Sequence, residues 1–161
     1  MKVALDANCF IDAANASSSA YPCLQRLFSA ARSGKVRLLI SRHTLAELKS
    51  DAANEMAKNV EVLPHWPIGA VGDQVATIEQ LSGTWKDARR NQEIQLELVQ
   101  LAKSGNSIRD RGSYLDALRG EAAFLVTSDR DLVGSGPAER IRARFGLRVL
   151  TPCQLVSEFH L

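Results

Sequence analysis

Short apolar runs alternate with amphipathic stretches along the chain. Val3, Ala4 and Leu5 form a strand-like run that stops at Asp6, and CFIDAA beyond it has helical character. A small, Ser-rich stretch over Asn15 to Ser19 leads into YPCLQRLFSAARSG. There Leu24, Leu27, Phe28 and Ala31 recur at helical spacing, and Gly34 stands where a C′ glycine stops a helix. VRLLIS, from Val36 to Ser41, reads as a strand buried on both faces. Ser41 is then expected to cap one continuous helix through TLAELKSDAANEMAKN, with Leu45, Leu48, Ala52 and Met56 on its apolar side.

The middle of the chain is less regular. VEVLPHWPIGAVG carries prolines and glycines and reads as a loop or a short edge strand. Helical stretches are expected around Asp73 to Leu81 and Thr84 to Ala102, the second with Ile94, Leu98 and Leu101 in register. From Asp110 the rhythm returns. YLDALRGEAA reads as a helix, AFLVTSD as a strand ending in an acid, RDLV as a turn and AERIRARFG as a helix. LRVLT is a strand, and PCQLVSEF a closing helix with Pro152 at its first position. Strands alternating with helices of this length imply an α/β fold with a parallel central sheet and helices on both faces. The 161 residues suit one domain, 1–161, with an enlarged helical middle segment at about 59–107.

Composition narrows the function by exclusion. No apolar run approaches the ~20 residues of a membrane span, and the N-terminus has no signal-peptide pattern, so a cytoplasmic address without membrane partners is expected. Three cysteines (Cys9, Cys23, Cys153) are an odd number without metal-ligand spacing, which argues against a disulfide framework and against zinc. Lys and Arg number 20 and Asp and Glu 18, a net charge of +2. That balance excludes a strongly basic nucleic-acid coat, so placement of charge matters more than its total. P-loop, dinucleotide-binding and nucleophile-elbow patterns are absent, which removes the usual nucleotide-dependent enzymes and serine hydrolases.

The candidate chemistry lies in carboxylates. Ligands of open α/β sheets gather at the carboxyl ends of the strands, where Asp6 and Asp129 fall. A lone strand-end Asp is as readily a helix cap as a ligand; two on two strands shift the balance. Glu47 is expected in the first turn after VRLLIS, where the helix dipole favours an acid. Asp110 opens the helix before FLVTSD, and Asp116 lies six residues on, about 600° around the axis, so the two do not serve one site together. An all-oxygen set of this kind suits Mg²⁺ or Mn²⁺, ions that promote in-line attack on phosphodiesters. Asn8, two residues after Asp6, is either an accessory ligand or a cap, and Thr127 either bonds Asp129 or satisfies the strand end.

VALDANCFID, SRHTLAELKS, the block from Asp110 through FLVTSDRDLV and the closing LRVLTPCQLVSEF together resemble the PIN-domain family of metal-dependent ribonucleases. The resemblance covers about two-thirds of the chain and implies a PIN-like domain. It places Asp6, Glu47, Asp110 and Asp129 in the catalytic pocket, with Asp6, Asp110 and Asp129 as metal ligands. The nineteen residues from Asp110 to Asp129 match the family spacing. Arg111, Gly112 and Ser113 depart from the small or apolar residues usual after that acid, which keeps Asp116 as the alternative. Asn8 matches the family's Asp-x-Asn and Thr127 its Thr-x-Asp.

The expected function is therefore a Mg²⁺- or Mn²⁺-dependent endoribonuclease acting on RNA. A haloacid-dehalogenase-like phosphatase would need a second Asp where Asn8 stands. A catalytically inactive PIN-like module that binds RNA or protein is the alternative. Phosphates near an acidic pocket require cations, and Arg42, Lys49, Arg109, Arg111 and Arg130 lie within a few residues of the acids. VapC-like toxins within the family imply an antitoxin protein as partner, and family members often form a homodimer. The long middle segment departs from the shorter toxin pattern.

Overall fold

The computed structural model describes residues 1–58, 60–63 and 108–161, apart from the side chains of His43, 108–112 and Pro137. In chain order these form β1 (Lys2–Leu5), α1 (Ala7–Ala13), α2 (Tyr21–Arg32), β2 (Arg37–Ile40), α3 (Arg42–Glu47), α4 (Asp51–Ala57) and β3 (Glu61–Val62). After the middle segment come α5 (Ile108–Arg119), β4 (Phe124–Val126), α6 (Gly136–Phe145), β5 (Arg148–Leu150) and α7 (Pro152–Phe159). The expected helices of the middle segment, with Ile94, Leu98 and Leu101 in register on the second, lie outside the described residues.

The strands form one parallel sheet in the order β3-β2-β1-β4-β5. Successive side chains on a strand point to opposite faces, and the core divides accordingly. Val3, Leu5, Leu38, Ile40, Phe124 and Val126 pack with α1, α2, α4 and α7. Ala4, Leu39, Leu125 and Val149 pack with α5 and α6. Both faces are thus covered, which is why the strands read as unbroken apolar runs. Among the described residues, no helix is long and apolar enough to cross a membrane.

Local chemistry fixes the helix ends. At the end of α2, Gly34 adopts φ +76° while its N–H reaches Ala31 O and the Lys35 N–H reaches Ala30 O. This double closure requires a residue tolerant of the left-handed region. Thr151 begins α7 with a reciprocal capping box, its hydroxyl accepting from Gln154 N while Gln154 Oε1 accepts from Thr151 N.

Two expectations fail. The helix after β2 is not continuous. Leu48 leaves helical geometry at ψ 105°, and Ser50 starts α4 by accepting from Ala53 N at 3.1 Å. The interruption shifts the helical phase, so Ala53 and Ala57 meet the core while Ala52 is exposed. The odd cysteine count also misleads, because Cys23 and Cys153 form a disulfide. Their helices, α2 and α7, pack side by side and bring the two Cα atoms to 5.1 Å across 130 residues of chain. Cys9 is the remainder, a fully buried thiol that packs as an apolar residue.

Candidate active site

Parallel pairing of β1 with β4, in the register Leu5↔Val126, brings their carboxyl ends out at one rim. The Asp6 N–H donates to Val126 O at 3.0 Å, so the chain leaves β1 beside the chain leaving β4. Asp6 occupies the N-cap position of α1, yet its side chain makes no capping hydrogen bond. Instead, Thr127 Oγ1 donates to Asp6 Oδ2 at 3.0 Å and Ser113 Oγ, from α5, reaches Asp6 Oδ1 at 3.5 Å. The helix-cap explanation for this acid therefore does not hold, and its carboxylate is turned toward β4 and α5.

Asp129 follows on the next strand. Its N–H donates to Thr127 Oγ1 at 3.1 Å, and its Oδ1 accepts from Asp131 N at 2.9 Å in an Asx turn. Thr127 is fully buried and links the two strand-end acids directly. The nearby Cys9 thiol donates to Val126 O at 3.2 Å. Burial, reinforced by the negative charges of Asp6 and Asp12, pushes that thiol far above its ordinary range. Cys9 is therefore a neutral packing element beneath the rim and not a nucleophile.

Glu47 is the last residue of α3, not a first-turn residue as expected. The interruption after Leu48 places it at a helix C-terminus, an end that the dipole makes unfavourable for an acid. It is half-buried, with Oε1 shielded from solvent, and α3 packs on α5. The dipole thus gives no reason for a glutamate here.

Asp110 is on the first turn of α5, three residues before Ser113. In an α-helix three residues return to within about 60° of the same direction, so the backbone puts Asp110 on the α5 face that meets Asp6. Its side chain, like those of Arg109 and Arg111, lies outside the described residues. Asp116 is half-buried three residues the other way, farther from the helix start, and its charge acts on Arg119. Burial lowers the Arg119 pKa, and Asp116 opposes that shift. Arg42, Lys49, Arg130 and Asn8 are all exposed. Among the described residues no group of three His, Cys, Asp or Glu side chains stands close enough to hold a metal ion. Sequence reasoning did not single out Ser113 as a contact of Asp6; the signal available was its helical spacing from Asp110.

No family model matches the chain, and no curated protein matches its sequence. Among solved structures, the chain is similar to one in the crystal structure of VapBC2 from Rickettsia felis bound to a DNA fragment from their promoter. The TM-score is 0.54 at 19% identity, covering 94% of this chain and 98% of that one. At that identity the likeness is one of fold, and the fold of this chain is α/β and PIN-like.

Proposed function

We propose that the chain is a Mg²⁺- or Mn²⁺-dependent endoribonuclease and the toxin of a toxin–antitoxin pair. The observation that carries the reading is the Asp6 carboxylate, which is not used to cap its own helix and is held at the strand-end rim by Thr127 and Ser113. The donor set fits a hard divalent ion, because Asp6, Asp110 and Asp129 offer only carboxylate oxygen. When bound, such an ion would polarise the phosphodiester and acidify a water. Thr127 and Ser113 would fix the rotamer of Asp6, and Glu47 would orient the attacking water or take its proton. The exposed cations Arg42, Lys49 and Arg130 would hold phosphates beside the acids. Asp110 is favoured over Asp116 as the third ligand, since Asp116 already balances a half-buried arginine.

The toxin assignment draws on the overall likeness to the VapBC2 chain, whose structure is an assembly on promoter DNA. By that analogy the partner is an antitoxin encoded beside this chain. A second reading is a PIN-like module that binds RNA or protein without cleaving, because the likeness to the VapBC2 chain is one of fold alone. One experiment separates them. Total RNA is incubated with the protein and Mg²⁺ or Mn²⁺, with EDTA and with Asp6→Asn as controls. Cleavage abolished by both controls supports the nuclease; RNA binding without cleavage by the unaltered chain supports the module.

A further inference from the structure

We propose that one flank of α6, carrying Arg140 and Arg144 and continued by Arg130, is the track along which the phosphate backbone of single-stranded RNA reaches the acidic rim. This inference rests on the ribonuclease reading and names the side from which the substrate approaches.

The first argument is charge. GPAERIRARF holds three arginines against Glu139, a net +2, which equals the net charge of the whole chain. This is a local concentration of positive charge; α2 carries the same +2 from Arg26 and Arg32, but it packs on the opposite face of the sheet from α6.

The second argument is which way that charge faces. Ala138 and Ile141 are buried and Phe145 half-buried, which fixes the inner face of the helix. At 100° per residue, Arg140 and Arg144 then share one flank, about 6 Å apart along the axis. Arg142 lies on the other flank, where Glu139 pairs with it at 3.6 Å. Arg140 and Arg144 are both exposed.

Topology supplies the third argument. A helix that crosses between parallel strands runs opposite to them, so α6 starts at the rim where β4 ends. Arg140 Nη1 lies 3.6 Å from the point a Cβ on Gly136 would occupy, so its side chain folds back toward that helix start. Arg130 follows Asp129 directly and is exposed at the same rim. Arg130 and the start of α6 thus share the rim where the acids stand, with Arg140 and Arg144 on the helix that leaves it. Guanidinium groups suit such a lane because their planar fork engages phosphate oxygens in pairs. A single row on a convex helix contacts one strand, which favours single-stranded RNA over a duplex.

The test uses the full chain carrying Asp6→Asn, in EDTA, so that binding is read without cleavage. A labelled single-stranded RNA oligonucleotide is titrated over a range of salt concentrations. If Arg140 and Arg144 each neutralise one phosphate, adding Arg140→Ala and Arg144→Ala flattens the log–log salt slope by about 1.4. Affinity at low salt should fall roughly tenfold or more. Lysine at both positions should restore most of the slope, and Arg142→Ala should leave it nearly unchanged. Circular dichroism checks that the fold is retained. Wild-type slope and affinity in the double alanine variant would overturn the track while leaving the nuclease reading intact, provided the unaltered chain still cleaves. Loss of duplex DNA binding, with no RNA binding by the parent, would also overturn it. RNA binding through this flank by a chain that cleaves nothing under Mg²⁺ or Mn²⁺ would keep the track and remove the nuclease.

Discussion

Thr127 Oγ1 joins Asp6 to Asp129: it donates to the Asp6 carboxylate at 3.0 Å and accepts from the Asp129 backbone at 3.1 Å. Donor and acceptor are both used, and the residue has no exposed surface. A near-isosteric Thr127→Val therefore leaves the Asp129 N–H without its acceptor and Asp6 without its strongest hydroxyl contact. The expected cost is about 1–3 kcal/mol in denaturant unfolding. On the nuclease reading, cleavage should also fall by roughly tenfold or more, since Asp6 loses its orientation. Thr127→Ser keeps the hydroxyl and should recover most of both. A valine variant with unchanged stability and cleavage would show that the link has no consequence.

The disulfide makes a separate prediction. Cys23 and Cys153 are 130 residues apart, so the chain-entropy account gives about 5 kcal/mol of stabilisation from closing that loop. Cys23 is half-buried and Cys153 exposed, so a small dithiol can reach the bond. Adding such a reductant should lower the thermal midpoint markedly, and Cys23→Ser with Cys153→Ser should reproduce the shift without it. Thiol titration gives an independent count: none in the native oxidised protein, two after reduction, and three once the reduced protein is unfolded. Cys9 accounts for the last, because it is buried and held in its neutral form. Two reactive thiols in untreated native protein would contradict the pairing.

Legibility in the sequence followed the range of the interaction involved. Strand–helix alternation, the Gly34 stop, the Ser41 cap and Pro152 at the start of α7 depend on near neighbours and were readable. The placement of Asp6 and Asp129 at one rim follows once β1 and β4 are parallel neighbours. The disulfide was not readable, because pairing across 130 residues depends on how α2 and α7 dock. Counting cysteines treated Cys9 as equivalent to the other two, whereas burial removes it from the count. Glu47 stands six residues after the Ser41 cap, past the first turn by count alone, and its place at a helix end is hidden because the run looks continuously helical. Only Ser50, a second cap within it, signals the restart, and a serine inside a helical pattern is easily read as a neutral surface residue. The contact between Ser113 and Asp6 spans two elements, and its trace in the sequence is no more than the helical spacing of Ser113 from Asp110.

That restart can be tested on its own. Ser50 Oγ accepts from Ala53 N at 3.1 Å, and Ser41 Oγ accepts from Thr44 N at 2.9 Å while donating to Thr44 Oγ1 at 2.9 Å. Ser50→Ala should cost about 1 kcal/mol, the usual value of a helix cap. Ser41→Ala should cost more, because Ser41 and Thr44 are both buried and Thr44 loses a partner as well. Chemical denaturation of the two variants checks the order. Equal costs would mean that the buried pair adds nothing beyond the cap.

The last prediction concerns pH and the closing helix. Arg148 on β5 grips Glu158 on α7, its Nη2 donating to Oε2 at 2.7 Å, and its guanidinium lies 5.5 Å from the Phe124 ring centroid. Phe124 in turn meets Phe159 edge-on at 5.0 Å, so the pair fastens the end of α7 over β4 and β5. The hydrogen bonds from Arg148, aided by its charge, hold the Glu158 carboxyl below the ordinary carboxylate range. A pKa depressed by folding contributes stability above the unfolded value, about 4.3 for Glu, and loses it as pH falls through the folded value. Glu158→Gln should therefore lower the thermal midpoint at neutral pH, and the two proteins should converge as pH falls past the depressed folded value of Glu158. Because the carboxylate is exposed, 1 M salt, with a Debye length of about 3 Å, should shrink the neutral-pH difference as well. A difference that persisted unchanged at low pH would assign the effect to packing of the side-chain stem rather than to the ion pair.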